Sequence, residues 1–135
     1  MRDWAKLFKS YLGSGIYPVK PAIVIDQIRQ SAMSCGLTFV YIDLLTVTTK
    51  EAFLQSVSKS LQFPLYFGMN WDAFQDCITD LAWFPVRGYV IWLDNLASFK
   101  GNAPDEMRTA RKVLKFTADY WKNRSMPFYV LLGEK

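Results

Sequence analysis

The stretch LTFVYIDL, Leu37–Leu44, is crowded with β-branched and aromatic residues and has no polar face, the pattern of a strand covered on both sides. Two later stretches, GYVIWLDN (Gly88–Asn95) and FYVLL (Phe128–Leu132), have the same character. What separates them is helical in spacing. Thr48 or Thr49 caps a helix through about Leu61, with Ala52, Phe53, Val57 and Leu61 as its inner stripe. Pro64 and Gly68 mark a tight segment, after which Asn70 caps a helix expected to reach about Ala82. Pro104 in a first turn, followed by Asp105 and Glu106 against the positive helix end, opens a long helix to about Asn123. Strands joined through helices cannot be hairpins, so the pattern predicts an α/β fold with a small parallel sheet packed by helices.

Upstream, Trp4, Leu7, Phe8 and Tyr11 fall at helical spacing over residues 3–12, and Ala22–Cys35 reads as a second helix stopped by Gly36. The intervening LGSGIYPVKPA, Leu12–Ala22, is turn-rich and reads as the main boundary. The expected organisation is therefore an N-terminal helical extension, 1–36, followed by a domain over 37–135.

A chain of 135 residues, 51% hydrophobic and 21% charged, builds a core without staples. It has no histidine, which excludes Ser-His-Asp and Cys-His catalysis and histidine-ligated metals. Cys35 and Cys77 are too few for a zinc site and read as reduced, packed thiols. Asp3, Lys6 and Lys9 interrupt any leader-like apolar run, and no later stretch is long enough to span a membrane, so a cytoplasmic location is expected. Neither a cofactor nor a metal is expected, and no residue is assigned a catalytic role.

The net charge of +4 is unevenly spread: residues 1–37 carry +3, residues 38–97 carry −3 and the remainder +4. No basic residue lies between Lys59 and Arg87, so the centre is an acidic island in a basic chain. Within it Trp71, Phe74, Ile78 and Leu81 share one side of the predicted helix, and Asp72, Asp76 and Asp80 line up opposite. Like charges at this spacing disfavour a helix by about 0.2–0.5 kcal/mol per pair, and no neighbouring lysine or arginine offsets them. The face is either simply solvated, or satisfied by basic residues distant in sequence, or an anionic surface addressed to a cationic partner. The preceding LYFGMNW adds Leu65, Tyr66, Phe67, Met69 and Trp71 around Gly68, aromatic contact area beside charge, as at interface hot spots. Gly68 is expected to supply a backbone conformation that other residues resist. Trp71 reads equally as a core plug.

The segment FPLYFGMNWDAFQDCITDLAW, Phe63–Trp83, resembles the signature of the barstar family of ribonuclease inhibitors, with a weaker likeness from about Thr38 to Leu132. Pro64, Tyr66, Gly68, Asn70, Asp72, Ala73 and Asp76 fall at the family's spacing. The resemblance implies a three-stranded parallel sheet packed by helices, and a protein that plugs the active site of a basic, barnase-like ribonuclease. Carried over by position, Asp72 and Asp76 would meet the enzyme's cations, with Asp76 where substrate phosphate would lie. Tyr66, Phe67, Gly68, Asn70 and Trp71 would form the loop contacts, and Asp119 a further acidic contact. The chain departs from the family inhibitor in being basic overall, in its extension up to about Gly36, in Phe67 where a tyrosine stands and in Leu65 where an acid stands.

The expected function is thus an immunity-type inhibitor acting by substrate mimicry on a basic ribonuclease or toxin domain, with no membrane partner. The alternative is a nucleic-acid-binding module built on Arg108, Arg111, Lys112, Lys115 and Lys122 beside Phe116, Tyr120 and Trp121. Against it, Met107, Ala110, Leu114, Thr117 and Trp121 keep a core-facing spacing that makes those cations an ordinary solvated face. Asp72 with Asp76 as a magnesium nuclease lacks an accompanying base. Asp94 and Asn95 read as turn formers.

Overall fold

The computed structural model describes residues 2–64 and 68–134. Its elements, in chain order, are α1 (Trp4–Leu7), a 3₁₀ turn (Tyr11–Gly13), β1 (Gly15–Pro18), α2 (Ile25–Ser34), β2 (Thr38–Asp43), α3 (Lys50–Ser60), α4 (Trp71–Ile78), β3 (Tyr89–Asp94), α5 (Ala97–Asn102), α6 (Pro104–Lys122) and β4 (Phe128–Leu132). The sheet is wholly parallel, in the order β1-β4-β3-β2. It has four strands where three were expected. The added strand β1 runs alongside β4, with Gly15 opposite Tyr129 and Pro18 opposite Leu132.

Alternation along the two central strands divides the core in two. Tyr89, Ile91, Leu93, Phe128, Val130 and Leu132 face the layer formed by α3, α4, α5 and α6. Val90, Trp92, Tyr129 and Leu131 face the other way, onto Trp4 and Phe8 of the N-terminal turns and Ile28 and Ala32 of α2. A sheet covered on both faces explains why these strands read as unbroken apolar runs. The N-terminal segment is therefore more than helical: it supplies an edge strand and the cover of one whole sheet face. Ser14 ties this layer in, its Oγ accepting the Phe128 N–H at 2.9 Å, while the Tyr129 hydroxyl donates to the Leu7 carbonyl at 2.8 Å.

Local chemistry sets most element ends. Thr49 caps α3 through the Ala52 N–H at 3.1 Å, and Asn70 caps α4 through the Ala73 N–H at 2.8 Å. Gly36, at φ 74°, closes α2 as expected. The expected helix over 3–12 is broken, because Ser10 is extended and turns its side chain to the Leu12 N–H at 3.1 Å. The expected helix from Asn70 to Ala82 stops at Ile78. There the Thr79 hydroxyl donates to the Gln75 carbonyl at 2.7 Å, Leu81 takes φ 51°, and the Trp121 indole caps the Ile78 carbonyl at 3.0 Å.

Candidate functional site

The acidic stretch lies on the outer side of α4. Phe74, Ile78 and Leu81 are buried, and Asp72, Asp76 and Asp80 are exposed, as the periodicity predicts. Asp80, however, belongs to the turn after the helix, where its Oδ1 accepts the Ala82 N–H at 3.3 Å. Asp72 sits in the first turn, favoured by the helix dipole, and Asp76 one turn further on. Among the described residues no lysine or arginine pairs with Asp72, Asp76 or Asp80. Their field is felt by Cys77, whose thiol is pushed up chiefly by burial and further by the Asp76 and Asp80 charges. Both cysteines are free thiols.

Two indoles hold α4 against α6. Trp71 donates from Nε1 to Glu106 Oε2 at 2.7 Å, and Trp121 reaches the other end of α4 at the Ile78 carbonyl. Trp71 also packs its ring at 5.8 Å from Phe53 and, edge-on, at 5.7 Å from Phe74. Its side chain is thus largely committed inward, as a brace that fixes the start of α4. Glu106 was not singled out from sequence as a site residue; 35 positions separate it from Trp71, and no local pattern links them.

The approach to α4 corrects one expectation. The left-handed backbone falls on Met69, at φ 53°, whereas Gly68 lies outside that region. A Cβ on Gly68 would come within 3.3 Å of Asn70 Nδ2, which donates to the Gly68 carbonyl at 3.2 Å. Gly68, Met69 and Asn70 are all exposed. The contacts expected from Tyr66 and Phe67 lie outside the described residues, as does Leu65. Asp119 is exposed on α6 but differs from Asp72 and Asp76 in having a partner, Lys115 Nζ at 3.3 Å. Two further basic residues of α6 are engaged, Arg108 with Asp105 and Arg111 with Glu134. Met107, Ala110, Leu114 and Thr117 are buried, which leaves that helix an ordinary amphipathic one. No cluster of three histidine, cysteine or acidic residues able to hold a metal occurs among the described residues. No helix among them is long and apolar enough to cross a membrane.

A protein-family model described as Barstar (barnase inhibitor) matches residues 37–133. The chain belongs to the barstar family. That family is one of protein inhibitors of ribonucleases, and its match begins one residue before β2 and ends one residue after β4, so it covers the acidic helix and three of the four strands. No curated protein matches the chain. Among solved structures, that of the Aeropyrum pernix ORC2 protein in its ADPNP-ADP complexes superposes with a TM-score of 0.61 at 12% identity. The likeness covers 96% of this chain and 39% of that one, and at such identity it is a likeness of fold, an α/β sheet between helical layers.

Proposed function

We propose that this barstar-family chain is an immunity-type inhibitor that occludes the active site of a basic ribonuclease or a related toxin domain. The observation that carries the reading is the pair Asp72 and Asp76, exposed one turn apart on a rigidly braced helix and unpaired within the described chain. In water such carboxylates gain little from staying apart from cations; in a desolvated interface they replace substrate phosphates and compensate the enzyme's lysines and arginines. Asp76 is the central mimic and Asp72 its neighbour. Gly68, Asn70 and the exposed edge of Trp71 form adjoining contacts, joined by Tyr66 and Phe67, which precede them in sequence, and by Asp119 at the periphery. Residues 1–36 support the domain over 37–135 without touching the partner, and their basic charge suits a location away from its cations. The setting is cytoplasmic, where an inhibitor protects its own cell.

The test is to titrate the purified protein into small basic ribonucleases of the barnase type and toxin nuclease domains, following RNA cleavage. One-to-one loss of cleavage is expected, with no salt-sensitive binding of RNA by the protein alone. Tight, salt-sensitive RNA binding without inhibition of any of these enzymes would overturn the reading in favour of a nucleic-acid module.

A further inference from the structure

The carboxyl ends of β1, β4 and β3 open on a cleft that shares no residue with the acidic helix. After β1 the chain passes to the face covered by α2, whereas after β3 it passes to the face covered by α5 and α6, and β4 ends between them. Open parallel sheets take small ligands at such a switch in direction. Here an inner recess of about 70 Å³, walled by Val19, Pro21, Ile23, Trp92, Asp94 and Gly133, adjoins an open cleft of about 690 Å³ along the start of α2.

The recess carries a buried donor, the indole N–H of Trp92. Trp92 is 3% exposed, and its Nε1–H has no partner among the described residues, although buried donors are almost always paired. Gly133 keeps this donor and a carboxylate open to the same space: a Cβ there would stand 3.1 Å from Trp92 Nε1 and would collide with Asp94 Oδ1. Asp94 is already oriented, Oδ2 accepting the Tyr41 hydroxyl at 2.5 Å and Oδ1 the Asn95 N–H at 2.9 Å. Each oxygen keeps a second acceptor direction.

Charge selects the occupant. Lys20 lines the recess, and Arg29, paired with Asp26, lines the outer cleft. An anion entering would face Asp94, and a cation would face Lys20 and Arg29. A hydroxyl avoids both, since it donates to the carboxylate and accepts from the indole. We propose that this recess binds a neutral vicinal diol, one hydroxyl donating to Asp94 and one oxygen accepting from Trp92 Nε1–H, with the body of the ligand against Ile23, Val24 and Ile25. Such a diol comes from the ribose of a nucleoside or from a free sugar.

The experiment follows the indole N–H signals of the ¹⁵N-labelled full chain, with the Trp92 signal assigned by its loss in Trp92→Phe. Adenosine, 2′-deoxyadenosine and ribose are titrated separately to millimolar concentration. A saturable shift of the Trp92 signal with adenosine, at least about tenfold weaker with the deoxy compound, is expected, because the latter lacks one of the two hydroxyls. A shift with ribose as well assigns the site to sugars in general; a shift with adenosine alone assigns it to nucleosides. Trp92→Phe, checked for folding by the four remaining indole signals, should lose adenosine affinity by about tenfold in calorimetry, and Gly133→Ala should abolish it. No saturable shift with any probe, equal response to the deoxy compound, or unchanged affinity in folded Trp92→Phe would overturn the proposal and leave the donor bonded to water only.

Discussion

Replacing Phe8 by alanine tests whether the N-terminal segment is part of the one cooperative core. Phe8 is 1% exposed, with its ring 4.9 Å from that of Tyr129 on β4 and 5.8 Å from that of Trp4. Removing a buried phenylalanine costs about 3–5 kcal/mol, and the edge-on pairing with Tyr129 is included in that figure. The site lies under short elements that can settle inward, so the lower end, about 3 kcal/mol, is the expected loss. Against a total stability of about 5–15 kcal/mol that is a large fraction. In urea, with a slope of about 2 kcal/mol per molar, the midpoint should fall by about 1.5 M, identically by far-ultraviolet circular dichroism and by tryptophan fluorescence. Met33→Ala, on the exposed side of α2, is the control and should change stability by less than about 0.5 kcal/mol. A main transition shifted by less than about 0.3 M in Phe8→Ala, or a separate early transition, would show that the segment is an appendage.

Two other outcomes follow from the same contacts. Asn70→Ala removes the cap that accepts the Ala73 N–H and should cost about 1 kcal/mol in urea unfolding, while frayed helix at α4 appears as faster amide exchange over Asp72 and Ala73. Burial raises the Tyr129 and Tyr89 hydroxyls above the ordinary tyrosine range, and burial with the Asp94 hydrogen bond does the same for Tyr41. A folded value raised above the unfolded one means that the stabilisation is complete below about pH 10 and is lost as pH climbs through the folded values. Unfolding free energy should therefore decline above about pH 10, with the tyrosinate absorbance of Tyr41, Tyr89 and Tyr129 appearing together with loss of circular dichroism; full ionisation of all seven tyrosines in a still-folded chain would contradict this.

Three of the strands were legible because a sheet covered on both sides leaves no polar face to confuse the pattern. The fourth was hidden in turn-like text: Gly15 and Pro18 bracket only Ile16 and Tyr17, and what makes them a strand is pairing with β4 at the tolerant edge of the sheet, together with Ser14 bonding to Phe128. Helix α5 escaped for a related reason, since Leu96 offers no side-chain cap and Gly101 argues against a helix. Periodicity correctly separated the exposed Asp72 and Asp76 from the buried Phe74 and Ile78, but it continues through Leu81 and so could not register the stop at Thr79. Long-range partners were out of reach: nothing local ties Trp71 to Glu106. Trp92 was equally concealed: in sequence it is one more apolar residue of a buried strand, and nothing local shows that its N–H, beside Gly133, has no partner among the described residues.

The central claim is that Asp76 stands in for a substrate phosphate, and calorimetry of Asp76→Ala and Asp80→Ala against an inhibited ribonuclease tests it most directly. Both residues are exposed and neither is ion-paired among the described residues, so Asp76→Ala should fold with stability within about 0.5 kcal/mol of the parent and Asp80→Ala, which also loses the contact to the Ala82 N–H, within about 1 kcal/mol. Asp76, on the helix face, should lose several kcal/mol of binding when removed, since the enzyme's buried cations would be stranded; the barnase and barstar pair is the general example from which that size is taken. Asp80, beyond the end of α4 and bonded to the Ala82 N–H, should lose less than about 1 kcal/mol. Added salt should slow association of the parent far more than it speeds dissociation. Equal losses for the two variants would contradict phosphate mimicry at Asp76, while leaving the fold and the family as they stand.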